Sequence, residues 1–365
     1  MSVNQDYKCL ADRLIAAYAE ATLETNPPRN RRINDKSTAQ MLSSIISIQE
    51  ELKRYTIESD LDTALETINL SKIYGGVDAR EEEKRNPGLG YEDLIVLEVL
   101  EYFKNDFFTW VNKPECPSCH KDGDNIEGKG AKGPPSPNPD KISQIEVYWC
   151  KECNRSVEFP RINNARRLLE TRKGRCGEWV NCFMLILKAV LGAEARIRYV
   201  WNREDHVWCE YFSTKLDRYV HLDPCENAFD NPLLYCENWG KKMSWVFGIG
   251  DDYIIDLSSK YITKEKQIPK SSIAKETIVT SFVSRVNHDL LRNYWSTKVA
   301  PLDVSEREKY LKLYYDVISV HNKEVDHRRP IVHSKTSSSP QGRQTGSAEW
   351  TKSRGEDGQH NQTHD

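Results

Sequence analysis

Two Cys-x-x-Cys pairs, Cys116-Pro-Ser-Cys119 and Cys150-Lys-Glu-Cys153, constrain this chain more than any other feature of its sequence. Each pair presents two thiolates from one tight turn, and four soft ligands suit a tetrahedral zinc ion. Four protein ligands leave no open coordination position. The spacing therefore predicts one structural Zn2+ held by Cys116, Cys119, Cys150 and Cys153. His120 is a rival ligand beside the first pair. Thirty residues separate the pairs, more than the usual ribbon spacing. Residues 122–141, rich in glycine, proline and charge, account for the excess as a mobile excursion that cannot pack.

Cysteine usage also bears on the compartment. Ten cysteines in 365 residues are too sparse for a disulfide scaffold, so thiols are expected to be ligands, buried apolar groups or nucleophiles. Met1–Leu10 carries no apolar signal region, and no run approaches the ~18 apolar residues of a membrane span. The expected address is the cytoplasm or the nucleus, which leaves the sequons at Asn69, Asn154 and Asn361 with little weight. With 52 basic and 55 acidic residues the net charge is -3. No basic stripe accompanies the cysteines, so a nucleic-acid partner is excluded.

The second feature is a cysteine at a helix start. Gly174-Arg175-Cys176-Gly177-Glu178-Trp179 precedes a segment, Cys176 to Ala189, that is apolar on nearly every side and so belongs in a core. The helix dipole and Arg175 both favour a Cys176 thiolate, and Gly174 and Gly177 let a substrate backbone come close. A small apolar cysteine in a buried helix is the plain alternative. Downstream, alternation in His206-Val-Trp-Cys-Glu-Tyr-Phe212 puts His206, Trp208 and Glu210 on one face, and in Tyr219-Val-His-Leu-Asp223 it aligns Tyr219, His221 and Asp223. A hairpin turning about Ser213–Leu216 then sets His206 directly opposite Asp223. Cys176, His206 and Asp223 make a nucleophile, base and orienter, with His221 as a rival base.

Around this core the periodicity predicts helices. Tyr7, Leu10, Leu14, Ala17 and Ala21 mark the first, followed by a basic linker to Arg32. Met41–Leu52 marks a second, and a capping box at Ser59–Asp62 a third. Gly88-Leu-Gly90 introduces a long helix reaching Trp110. Strands are expected at 145–150, 156–159, 195–201, 206–212, 219–223 and 253–257, and helices near 163–171, 277–295 and 304–321. The implied organisation is 1–32 docking helix and linker, 33–112 helical part, 113–160 zinc subdomain, 161–300 catalytic core, 301–333 helical segment and 334–365 disordered tail.

Cys176-Gly-Glu-Trp-Val-Asn-Cys-Phe183, Asn202-Arg-Glu-Asp-His-Val-Trp-Cys-Glu210 and His221-Leu-Asp223, with the double Cys-x-x-Cys upstream, resemble the cytoplasmic peptide:N-glycanases of the transglutaminase-like superfamily, in their compact fungal form. The resemblance implies an α+β fold: a papain-like core whose central helix packs on an antiparallel sheet, with an inserted four-cysteine zinc subdomain and flanking helices. It implies hydrolysis of the glycan–asparagine amide of misfolded N-glycoproteins in ER-associated degradation, with Cys176, His206 and Asp223 as the triad. It places Glu210, Glu226, Trp239 and Lys241 beside the glycan and makes Trp110 an oxyanion candidate. The partner it implies is a ubiquitin-receptor shuttle of the repair-factor type, leading to the proteasome. Tyr7–Ala21 and Leu311–Ile318 are the counterparts it implies for the docking helices, with core packing or capping as the plain alternative. The rivals are a transglutaminase or cysteine protease on the same triad, and a catalytically silent zinc-stabilised adaptor.

Overall fold

The computed structural model describes residues 33, 35–294, 296–297 and 342–358, with Tyr7, Leu10, Leu14, Ala17 and Ala21 singly. In chain order the helices are α1 (Lys36–Leu52), α2 (Glu58–Thr67), α3 (Leu70–Glu82), α4 (Tyr91–Tyr102), α5 (Ala165–Thr171), α6 (Cys176–Leu191), α7 (Ser258–Tyr261), α8 (Glu276–Tyr294) and α9 (Ala348–Ser353). The strands are β1 (Thr109–Trp110), β2 (Ile126–Lys132), β3 (Ile142–Cys150), β4 (Arg155–Ile162), β5 (Lys173–Gly174), β6 (Ile197–Asn202), β7 (His206–Ser213), β8 (Arg218–Asp223), β9 (Ala228–Phe229), β10 (Val246–Ile249) and β11 (Ile254–Asp256). Helix and sheet are mixed, an α+β fold.

The chain divides into two compact units. The smaller comprises Met1–Leu52, Asn202–Glu204 and Met243–Pro330. There α1 buries Met41, Leu42, Ile45 and Leu52 along one stripe. β10 and β11 pair antiparallel, and the Asn287 amide of α8 bonds both the N–H (2.6 Å) and the carbonyl (2.7 Å) of Ile254. Tyr7, Leu10, Leu14, Ala17 and Ala21 are helical and exposed. The helix expected at 304–321, with Leu311 and Ile318, lies outside the described residues.

The larger unit, Lys53–Trp201, Asp205–Lys242 and Ile331–Asp365, is organised by α6. Trp179, Val180, Cys182, Phe183, Met184, Leu185, Ile186 and Leu187 are all buried, because α2, α5 and β7 pack around this helix. Each large apolar side chain sequestered this way stabilises by about 1.5–3 kcal/mol. Phe103 meets Phe183 at 5.3 Å and stacks on Phe108 at 5.2 Å. Strands β6, β7, β8 and β9 lie in that order.

Several expectations are corrected. The long helix ends at Tyr102, followed by a wider turn through Phe107, and Trp110 sits on β1. Pairing of Trp110 with Gly174 of β5 takes this residue out of the helix. α2 begins at Glu58 after Ile57 and has no side-chain cap, so Ser59 lies inside the helix.

The supposed mobile excursion contains β2, which pairs with β3 from Ile126–Cys150 to Lys132–Ile145. Ile126 is fully buried as its anchor, and a bulge at Gly128–Gly130, with Gly130 at φ +113°, absorbs the glycines. The supposedly disordered tail is ordered at 342–358, where Arg343, Thr345, Thr351 and Glu356 are buried and Ser347 caps α9. Residues 334–341 and 359–365 lie outside the described residues.

Candidate functional site

The four cysteines predicted to share an ion converge. Their Sγ atoms all lie within 4.8 Å of one another. Cys116 and Cys119 stand on one turn, closed by Cys116 N–H to Lys121 O at 2.9 Å, while Cys150 ends β3 and Cys153 lies in the following turn. Asn125 Nδ2 donates to Cys150 Sγ at 3.2 Å, and the Cys153 N–H donates to the same sulfur at 3.4 Å. Desolvation opposes a Cys150 thiolate, yet these donors and the neighbouring thiols bring it down to about 6, whereas Cys153, beside Cys119, is pushed up to about 12. Four sulfurs this close together form a set able to hold a metal ion. His120 points away, 76% exposed and bonded to Glu115.

At the start of α6 the structure revises the setting of Cys176. Arg175 does not serve the thiol: its guanidinium bonds Glu146 (2.7 Å), Tyr148 Oη (2.8 Å) and the Val111 carbonyl (3.1 Å). Gly174 is required by the protein itself, since a Cβ there would lie 2.3 Å from Glu178 Cβ. Buried Glu178 accepts the Arg175 N–H at 3.1 Å and a bidentate pair from Arg161 at 2.8 and 2.9 Å. Burial pushes the Cys176 thiol up, and the guanidinium of Arg343 is the strongest influence pulling it down.

His206 and Asp223 are both fully buried, with Nε2 of the imidazole 2.9 Å from Oδ2 of the carboxylate. The register behind this contact differs from the expected one. Cys209 faces Leu222 and Glu210 faces His221, a slip of two residues that moves Asp223 from directly opposite His206 to a diagonal position. A two-residue slip keeps every side chain on its face, and a diagonal neighbour stays within reach of an imidazole. Asp223 also accepts from Tyr235 Oη (3.0 Å) and the Cys225 N–H (2.9 Å). The rival His221 places Nε2 2.8 Å from Tyr235 Oη, so it stands behind the carboxylate. His206 Nδ1 is buried and makes no hydrogen bond among the described residues. Burial, with Arg343 next, holds this imidazole well below its ordinary value, and burial raises Asp223. The resting base is therefore neutral, with one nitrogen available.

The other expected site residues are engaged by protein groups. Glu210 is fully buried and ion-paired with Arg198, so it belongs to the core instead of a cleft surface. Trp110 donates its indole N–H to Asn112 at 2.9 Å. Residues 342–358 meet the remaining three. Glu226 accepts from the Gln344 N–H (2.9 Å) and from Thr345 Oγ1 (2.5 Å). Trp239, fully buried with its ring 5.0 Å from that of His206, carries Arg343 over its face at 4.8 Å.

Lys241 pairs with Glu356. Burial resists ionisation of Glu356, but Lys241, Arg343 and Arg354 overcome it and hold the carboxyl down at about 2. Tyr235, Arg343, Trp350 and Glu356 were not foreseen. The signal for the last three was a cluster of aromatic and charged residues, Trp350, Arg354 and Glu356, in a segment otherwise read as solvated. A cavity of about 1750 Å³ opens beside this cluster, lined by Trp110, Tyr148, Phe159, Arg175, Glu178 and Trp350 among others.

Among the described residues no helix is long and apolar enough to cross a membrane. A family profile described as the transglutaminase-like superfamily matches residues 126–224. A solved Rad4–Rad23 complex crosslinked to undamaged DNA matches with a TM-score of 0.40 and 10% identity, over 82% of this chain and 62% of that one. A Debaryomyces hansenii protein named peptide-N(4)-(N-acetyl-beta-glucosaminyl)asparagine amidase is 51% identical over 97% of each chain. Proteins of the same name from Candida albicans and Saccharomyces cerevisiae are 45% identical (98% of each chain) and 37% identical (97% of this chain, 98% of the other).

Proposed function

Because this chain belongs to the peptide-N(4)-(N-acetyl-beta-glucosaminyl)asparagine amidase family and is a deglycosylating hydrolase, we propose that Cys176, His206 and Asp223 carry its reaction through a thioester. The observation that carries this reading is the buried His206–Asp223 pair, whose Nδ1 has no partner among the described residues. A neutral imidazole with one nitrogen fixed by a carboxylate takes a thiol proton through the other.

In this reading Nδ1 of His206 accepts the Cys176 proton as sulfur attacks the side-chain carbonyl carbon of the glycosylated asparagine. Asp223 stabilises the imidazolium, and the Cys176 N–H at the start of α6 donates to the developing oxyanion. The imidazolium then protonates the departing glycosylamine nitrogen, leaving an aspartyl thioester. Water, deprotonated by His206, attacks the thioester; sulfur leaves and the peptide departs with aspartate in place of asparagine. Trp110, its N–H committed to Asn112, serves as wall and not as donor.

Four further roles belong to the same reading. Zinc is the metal that four thiolates suit best, and it leaves catalysis to the triad. The exposed apolar faces of Tyr7, Leu10 and Leu14 support a helical contact to a ubiquitin-receptor shuttle, and through it the proteasome. Misfolded N-glycoproteins in ER-associated degradation are the substrates, and the cytoplasm, with the nucleus, is the place of action. A substrate whose asparagine must reach Cys176 and a fully buried His206–Asp223 pair is one that has lost its own fold.

The test is mass analysis of a denatured N-glycopeptide after incubation. Release of intact glycan with conversion of asparagine to aspartate is expected. Backbone cleavage or incorporation of an added amine would instead indicate the protease or transglutaminase chemistry open to the same triad.

A further inference from the structure

Arg343 is the least explained charge in the larger unit. Its side chain is fully buried. Nε donates to Thr345 Oγ1 at 3.1 Å and Nη1 to Glu356 Oε2 at 2.8 Å. Nη2 is buried and makes no hydrogen bond among the described residues. The guanidinium lies 4.6 Å from the ring of Trp350, 4.8 Å from Trp239 and 5.3 Å from Trp110.

A second orphan sits beside it, because Trp239 Nε1 is also buried without a hydrogen bond among the described residues. The ring of Trp239 is 5.0 Å from that of His206, whose Nδ1 is the third such atom. Leaving a buried donor unmatched costs about 1–3 kcal/mol, more when it is charged, so two on touching side chains beside the base need a reason. Packing alone does not supply one. A methionine would fill the same aromatic slot without an unmatched N–H, and Glu356 already has Lys241 and Arg354.

We propose that Arg343 is a substrate-binding residue, donating from Nη2 to an oxygen of the N-acetylglucosamine next to the scissile amide, with Trp239 Nε1 as its companion donor. The inference rests on the amidase reading above and names the sugar side of that site. Sugar hydroxyls and an acetamido carbonyl are uncharged acceptors, which a fixed pair of donors recognises. The apolar faces of the ring stack on indoles, and three surround this guanidinium. Residues 342–358 thereby form a wall of the sugar site. Glu226, Trp239 and Lys241 anchor that wall, Lys241 through its pair with Glu356.

The test uses the full chain with Arg343→Lys, which keeps the cation, and Arg343→Gln, which keeps a polar side chain. In a Cys176→Ala background, titration with free N-acetylglucosamine should show at least a tenfold loss of affinity in both variants. With Cys176 intact, Arg343→Lys should leave the melting temperature and the rate of thiol alkylation by iodoacetamide near those of the parent, and raise KM for a glycopeptide more than it lowers kcat. Sugar affinity in Arg343→Lys equal to the parent overturns the proposal. So does a gain in affinity, which would mean that the side chain blocks the sugar, and so does a matching fall in alkylation and melting temperature, which marks a structural part. A wild-type chain that releases no glycan sinks the amidase reading itself. Release with undiminished sugar affinity in both variants sinks only the assignment of Arg343.

Discussion

The four-cysteine hairpin and the aromatic site around His206 solve the same problem, holding polar groups at fixed positions, in opposite ways. In the hairpin the cysteines come as two local pairs, and Ile126 and Val157 pack with Cys116 and Cys150 in a small apolar cluster. β2 is otherwise held by its ladder to β3, most of its residues being exposed. Around His206 the polar atoms are buried under Trp208, Trp239 and Tyr235, and residues more than a hundred positions apart are joined, as in Lys241 with Glu356. The difference teaches that one region gathers its polar groups at a site able to hold a single ion, whereas the other fixes them by packing.

Removing the metal is the harshest way to test this contrast. Chelation, or Cys150→Ser, should release the bound ion and unfold the hairpin, since a structural zinc site contributes ~10–16 kcal/mol of apparent folding free energy. Metal analysis and circular dichroism would show both losses together. Full structure without metal would remove the contrast.

Cys176→Ala should do the reverse, lowering glycan release by ~10⁴-fold or more while the melting temperature moves by only a few degrees. Asp223→Asn keeps the buried shape but not the charge that steadies the imidazolium, so a loss of roughly 10²–10⁴-fold in kcat is expected. Tyr235→Phe, which removes one donor to Asp223, should cost about 1–2 kcal/mol, some five- to thirty-fold in rate.

The gentlest probe is pH. Burial holds the His206 imidazole below its ordinary value, so the base stays unprotonated as pH falls through ~6.5. The acid limb of kcat/KM should accordingly begin below that pH. An inflection at or above it would mean that the base is solvated.

Legibility in the sequence followed this same division. Cys-x-x-Cys spacing is local, so the ligand set was readable without any knowledge of the fold. The all-apolar run after Cys176 and the parity of β7 and β8 were equally readable, because burial on every side and period-two alternation leave marks in the order of residues.

Register was not readable, since a slip of two preserves parity and only packing decides it. Arg198, which claims Glu210, lies on β6, and no local spacing could have revealed that pairing. β2 was hidden because its glycines read as disorder, although a bulge accommodates them. Residues 342–358 were hidden because their composition is that of a solvated tail. Tertiary ion pairs at Glu356 and Glu226, together with three indoles around Arg343, override that composition.

The most direct measurement is the intact mass of the enzyme, acid-quenched milliseconds after mixing with a denatured N-glycopeptide. A peptide acyl adduct on Cys176 that has already lost the glycan is the predicted species, and it should vanish in Cys176→Ala together with glycan release. An adduct that retains the sugar, or release that persists in Cys176→Ala, would contradict the thioester route.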